Sequence, residues 1–180
     1  MKVGRHGVAI ELERGDIAHQ DGFDAVVNAA NAQLMPGGGV AGAIHRAAGP
    51  GLAEECRPLA PIEPGQAVIT GAHDLPVRRV IHCLGPVYGR DQPAEELLRS
   101  CYRRALELAE EEGLASVAFP ALSTGAFGYP LREAARAALD EVLGALPELE
   151  SVRRVRFALF GEDALRVHEE ALEELLDDAG

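Results

Sequence analysis

Apolar residues follow two rhythms along this chain. Val8, Ile10 and Leu12 alternate with Ala9, Glu11 and Glu13, the period of two expected of a half-buried strand. Residues 24–28 form a short apolar run bounded by Asp24 and Asn28, which reads as a fully buried strand. Residues 66–71 and 79–84 are further strands, separated by the turn-like His73-Asp74-Leu75-Pro76. After Pro93 the period changes. Leu97, Leu98, Cys101, Tyr102, Ala105, Leu108 and Ala109 mark one face of a long helix, which Gly113 ends. Residues 116–120 read as a strand, 131–146 as an amphipathic helix, 153–160 as a strand and 162–176 as a last helix. A helix over 40–48 follows the break at Gly37-Gly38-Gly39. No internal repeat, low-complexity tract or linker interrupts the series, so one domain over residues 1–180 is expected. Strands alternating with helices predict an α/β fold, a mixed sheet covered on both faces.

Ligands in such folds bind beyond the carboxyl ends of strands. Two loops occupy that position, 28–42 and 121–130; each follows an apolar strand, is rich in glycine and leads into a helix. Residues 37–42 satisfy GxGxxG, but a dinucleotide fingerprint sits directly at a strand-to-helix turn, and here several residues intervene after Asn28. No GxxxxGK[ST] is present, which excludes a P-loop. The glycines keep a physical meaning: without Cβ atoms the main chain can approach a ligand and turn several N–H groups toward one anion. Ser123-Thr124-Gly125-Ala126-Phe127-Gly128 has the same character, and the Phe127 ring either packs on a sugar or base or folds back onto the core. Two such loops facing one crevice point to a diphosphate. Asn28 and Asn31 carry carboxamides that donate and accept together, which suits sugar hydroxyls. Asp16 has two readings, an acceptor for an adenine amino group or a turn cap.

Charge narrows the partners. With 17 basic and 29 acidic residues the net charge is −12, which opposes general nucleic-acid binding and binding to anionic membranes. Helix N-termini and main-chain amides can still hold a phosphate without lysine. The hydrophobic fraction of 47% with 26% charged residues is that of a folded domain, and no apolar run is long enough for a membrane span. Residues 1–16 lack a signal-peptide core, and Cys56, Cys83 and Cys101 are odd in number and show no CxxC; a reducing, cytoplasmic location is expected. No His/Cys cluster has zinc spacing, and His168-Glu169-Glu170 lacks the second histidine of HExxH, so neither metal nor cofactor is expected. His82 reads as a core residue, whereas His45 either supports the site by hydrogen bonding or takes part in the chemistry. The acidic residues of the last helix, Glu169 to Asp178, read as a solvated face.

Taken in order, Gly15-Asp16-Ile17, residues 24–31 (DAVVNAAN), Gly37 to Val40, Ala43 to Gly49 (AIHRAAG), Val80 to Pro86 (VIHCLGP) and Phe119 to Pro130 (FPALSTGAFGYP) resemble a macro domain. The match runs from about residue 8 to 176. The resemblance implies a three-layer α/β/α fold with a central mixed sheet, and binding of ADP-ribose or an ADP-ribosylated protein. It assigns Asp16 to the adenine amino group with the Ile17 backbone beside it. It makes Phe160 the adenine-packing aromatic, against the alternative of a core phenylalanine. The backbones of Gly37, Gly38, Gly39 and Val40, and of Ser123, Thr124, Gly125, Ala126 and Phe127, would hold the diphosphate. Asn31 would hold the distal ribose under Phe127, with Asn28 and Asn31 as the catalytic carboxamides. Eukaryotic mono-ADP-ribosylhydrolases read Gly-Gly-Gly-Val-Asp-Gly in the first loop, the aspartate being assigned to the water or the distal ribose; here that position is Ala41. The expected activity is hydrolysis of ADP-ribosyl esters by a positioned, substrate-assisted water. A non-catalytic ADP-ribose reader, an ADP-ribose 1″-phosphate phosphatase and reversal of ADP-ribose on DNA are the alternatives the same pocket allows.

Overall fold

The computed structural model describes residues 1–179. Seven strands form one sheet: β1 (Lys2–Arg5), β2 (Val8–Arg14), β3 (Ala25–Ala29), β4 (Ala67–Gly71), β5 (Arg79–Cys83), β6 (Ser116–Phe119) and β7 (Arg154–Leu159). Five α-helices accompany them: α1 (Gly39–Ala48), α2 (Gly51–Cys56), α3 (Ala94–Glu111), α4 (Leu131–Ala145) and α5 (Glu162–Ala179). The spatial order is β1-β2-β7-β6-β3-β5-β4. The five inner strands run parallel, and the edges β1 and β4 pair antiparallel. This mixed sheet between two helical layers is the expected α/β/α architecture.

Alternation on the strands decides the layers. Val8, Ile10, Leu12, Val27, Val117, Phe119, Val155 and Phe157 enter one core with Leu98, Tyr102, Leu139 and Leu172 of α3, α4 and α5. Val26, Val80, Ala118 and Ala158 enter a second core with Ile44 of α1 and Leu52 of α2. Adjacent residues of one strand therefore serve opposite cores, as a pleat with two buried faces requires. All three cysteines are buried free thiols. Among the described residues no helix is long and apolar enough to cross a membrane.

Two elements go beyond the sequence reading. Strand β1 folds onto β2 through His6 and Gly7, both at positive φ, the backbone of a tight hairpin turn. Helix α2 follows α1 after the turn at Gly49. The acidic face of α5 is also more than solvated: Glu170, Glu174 and Asp178 pair with Arg132 and Arg136 of α4.

Because β2, β7, β6, β3 and β5 are parallel neighbours, their carboxyl ends lie along one rim. The segments they release, in spatial order, begin at Gly15, Phe160, Pro120, Ala30 and Leu84. The Gly15 N–H donates to the Leu159 carbonyl at 2.9 Å and the Ala30 N–H to the Cys83 carbonyl at 2.9 Å, so neighbouring segments leave the sheet tied together.

Candidate functional site

A crevice follows that rim as two adjoining cavities of about 320 and 540 Å³, which share Gly39, Val40, Ala121 and Gly125. Asn31, Gly37, Gly38, Ala41, Ser123, Ala126 and Phe127 complete the lining at the β3/β6 end. Asp16, Ile17, Arg46, Thr124 and Phe160 stand at the β2/β7 end. All thirteen residues expected to bind ligand are thus brought to one crevice. Strands are spaced by about 4.8 Å, so β2 and β3, three intervals apart, separate its ends by roughly 14 Å.

Each wall has a local cause. Helix α1 starts directly on the glycine loop, with Gly38 as N-cap and Gly39 at φ +55°, a conformation that glycine adopts without strain. The N–H groups of its first turn have no partner within the helix and present a positive field to the crevice. On the opposite wall Ser123 is held at φ +67°, and Gly85 makes this possible: a Cβ there would fall 2.2 Å from Ser123 Oγ. A strained non-glycine residue in a loop at the crevice is a frequent mark of a functional site. Asn31 fixes the first loop from within. Its Nδ2 donates to the Met35 carbonyl at 2.8 Å and its Oδ1 accepts the Met35 N–H at 3.0 Å, leaving one N–H and one lone pair free.

Both readings of Asp16 hold together. Its Oδ1 caps the turn by accepting the Ala18 N–H at 2.9 Å, while the side chain stays half-exposed at the rim. Phe160 is 91% exposed, which rules out the core alternative. The Phe127 ring is half-buried and lines the crevice.

Asn28 is the exception. It is fully buried in β3 and lines neither cavity; its Nδ2 lies 3.1 Å from His82 Nδ1. A direct catalytic contact is therefore corrected to a place behind the site. His82 in turn meets Thr70 Oγ1 at 3.0 Å and Cys56 Sγ at 3.6 Å. Burial pulls its pKa down to about 3, His45 adding to this and Glu55 opposing it. Burial also lowers His45. That imidazole sits one helical turn beyond Ala41, buried, with neither ring nitrogen hydrogen-bonded. Asn28 Oδ1 and Ser123 Oγ are likewise buried without partners. Among the described residues, no titratable side chain lines the β3/β6 cavity.

The sequence reading missed Arg46, which among the described residues is the single lysine or arginine on the crevice lining. Its Nη1 reaches back along α1 to within 3.0 Å of where a Cβ on Gly42 would lie. The signal was present: the side chain of a helical residue leans over the turn before it, and the residue at i−4 is glycine.

Known proteins resemble this chain in sequence and in fold. A sequence profile described as Macro domain matches residues 27–138. A macro domain-containing protein of Methanosarcina mazei is 44% identical over 168 residues, spanning 93% of this chain and 89% of that protein. A protein of Enterobacter cloacae named O-acetyl-ADP-ribose deacetylase is 44% identical, with 91% of this chain and 93% of that one covered. The Oceanobacillus iheyensis macrodomain, solved with ADP, superposes with a TM-score of 0.94 at 39% identity, covering 99% of this chain and 97% of that one. The Trypanosoma brucei macrodomain in complex with ADP-ribose gives 0.85 at 42% identity, covering 91% and 68%. With a profile across more than half of its length and relatives of this identity aligned nearly end to end, the chain belongs to the Macro domain family.

Proposed function

We propose that this protein binds ADP-ribose in the crevice and hydrolyses ADP-ribosyl esters, releasing ADP-ribose from acidic side chains of proteins or acetate from O-acetyl-ADP-ribose. The observation that carries the reading is the convergence of two Cβ-poor loops on one crevice whose ends differ in chemistry. The Asp16 and Phe160 end suits adenine: a carboxylate to accept from the amino group and an open ring to cover the base. The amides of both loops suit the diphosphate. Asn31 and Phe127 suit the distal ribose, one by hydrogen bonds and the other by packing.

The chemistry follows from what the distal end lacks. With no carboxylate or imidazole on that lining, a diphosphate oxygen and loop carbonyls orient the water, and rate is gained by placement and preorganised dipoles. When the bond from C1″ to a glutamyl oxygen breaks, the carboxylate departs with the electron pair and needs no proton, its conjugate acid having a pKa of about 4.3. The water oxygen bonds to C1″ and its proton passes to the diphosphate and then to solvent. An arginine N-glycoside, by contrast, would leave as a strong base and require an acid that this lining does not offer. In deacetylation the water attacks the acetyl carbonyl instead; acetate is released, and the sugar oxygen expelled from the tetrahedral intermediate takes up the proton that the attacking water gives up, so no protein acid is required.

The missing titratable group also favours a second reading, a module that reads ADP-ribose without turnover. Multiple-turnover assays on a glutamate-linked ADP-ribosyl peptide and on O-acetyl-ADP-ribose decide between them. Release of ADP-ribose or acetate over many cycles, reduced at least about tenfold in Asn31→Ala, is expected. Tight binding of ADP-ribose with no release of either product leaves only the reader.

A further inference from the structure

Beyond Phe127 the rim continues to one more parallel strand. Strand β5 lies next to β3 on the side away from β6, and the segment 84–93 that follows it meets the loop 121–130 at Gly85 and Tyr88 without lining the crevice itself. That segment is tied down at several points. Asp91 accepts the Val87 N–H at 2.8 Å, the Arg90 and Asp91 N–H groups return to the Val87 carbonyl at 3.1 and 3.0 Å, and the Tyr88 N–H donates to the Phe127 carbonyl at 2.8 Å. The Tyr88 ring rests on the buried Tyr129 ring at a centroid distance of 4.8 Å. Yet Tyr88 is 45% exposed, one of only four large apolar side chains left so open among the described residues. Another is Phe160, which lines the β2/β7 end of the crevice.

We propose that Tyr88 is the contact for the peptide whose side chain carries the ADP-ribose, and that it favours protein-linked esters over O-acetyl-ADP-ribose. The inference rests on the function proposed above and names its substrate class. The distal ribose ends at Asn31 and Phe127, so an acetyl group stops inside the cavity. A polypeptide acceptor extends beyond the cavity past Phe127, whose carbonyl holds the exposed Tyr88 beside it. A tyrosine already immobilised by its backbone and by a ring contact loses little further freedom on binding, and aromatic residues of this kind dominate contact energies at interfaces.

The test compares two substrates and two ligands. For Tyr88→Ala, kcat/KM on a glutamate-linked ADP-ribosyl peptide is expected to fall about 5- to 30-fold, the range of an interface aromatic. On O-acetyl-ADP-ribose it should stay within about twofold, as should the Kd for free ADP-ribose. Tyr88→Phe should behave as wild type, and Tyr88→Leu, which still covers Tyr129, should follow Tyr88→Ala. Equal losses on both substrates, or none on the peptide, overturn the inference. If the wild-type protein binds ADP-ribose but cleaves neither ester, hydrolysis fails while Tyr88 remains decidable. In that case an amide-linked ADP-ribosyl peptide should lose affinity on Tyr88→Ala whereas free ADP-ribose does not, and an unchanged peptide affinity overturns it.

Discussion

Gly42 stands in the first turn of α1, and a Cβ built on it would lie 2.3 Å from the Gly37 carbonyl oxygen and 3.0 Å from Arg46 Nη1. The first contact is with main chain, which cannot rotate away. Gly42→Ala must therefore push the glycine loop outward, even though alanine is the better helix former by about 1 kcal/mol. Melting temperature should change little while the Kd for ADP-ribose rises at least about tenfold, the cost of roughly 1–3 kcal/mol that overpacking imposes. Calorimetric titration beside a thermal melt checks both, and an unshifted Kd contradicts the close approach. Arg46, which occupies the lane that Gly42 leaves, offers a different test. It makes no ion pair among the described residues, whereas Arg99, Arg132 and Arg136 each make two or more. As the one cation on the lining it should act on the anion and not on the base. Arg46→Gln is expected to weaken ADP-ribose about fivefold, near the 1 kcal/mol of an exposed charge contact, with a shallower dependence on salt. Adenosine binding should not move, and a parallel loss for adenosine would place Arg46 on the base instead.

At the scale of elements, the end of the crevice at Asp16 depends on one ion-pair node. Glu11 of β2 is buried, and its two oxygens take Arg154 Nε at 2.7 Å and Arg156 Nε and Nη2 at 3.0 and 2.8 Å. Burial alone raises the Glu11 pKa, but these two arginines outweigh it and hold the carboxyl below the ordinary glutamate value. Arg156 also reaches Gln20 at 3.0 Å, and both guanidinium groups lie over the Phe23 ring at 4.4 and 4.6 Å. The node thus joins β2 and β7 to the segment that follows Asp16. Glu11→Ala leaves Arg156 with only Glu13 and Gln20 as partners, and a loss at or below the low end of about 3–5 kcal/mol is expected in urea unfolding, since Arg154 keeps some contact with water. Such links were invisible in the sequence. The inner strands and long helices were legible because hydrophobic period alone sets them. Strand β1 was not, because Lys2, Gly4 and Arg5 are exposed and give no alternation; pairing to β2 makes it a strand. Both loops were legible from their glycines. The burial of Asn28 was not, because a carboxamide at a strand end has the same local sequence whether it faces ligand or His82, and only the packing of β5 beside β3 decides. Phe160 shows the converse, an aromatic at a strand end that the fold leaves open to water.

On the scale of the whole molecule, acid should unfold this protein through its histidines before its carboxylates. His45, His82 and His168 are buried, and burial holds each below the ordinary histidine value, His82 at about 3. In the unfolded chain all three take up protons near pH 6.5. Between that value and the folded pKa of each, the unfolded state binds more protons, so stability rises with pH there and is lost as pH falls. Each such proton steepens the loss by about 1.4 kcal/mol per pH unit. For His82 the window runs from about 6.5 down to about 3. Glu11, Glu55 and Glu110, whose carboxyls the fold holds below the usual range, act in the same direction but only once pH approaches about 4.3 and below. The net charge of −12 works the other way, because proton uptake relieves self-repulsion. That term is spread over a screened surface, whereas the imidazoles sit in the core, so the histidines prevail. The urea midpoint should therefore drop clearly between about pH 7.5 and about pH 5.5, above the range where carboxylates titrate. His82→Gln, which keeps a polar group toward Asn28 and Thr70, should start less stable and lose less over the same interval. A midpoint that stays level, or a variant whose slope matches wild type, would show that these imidazoles do not stay neutral in the folded core, and the burial of His82 against Asn28, Thr70 and Cys56 would then have to be given up as the origin of the acid sensitivity.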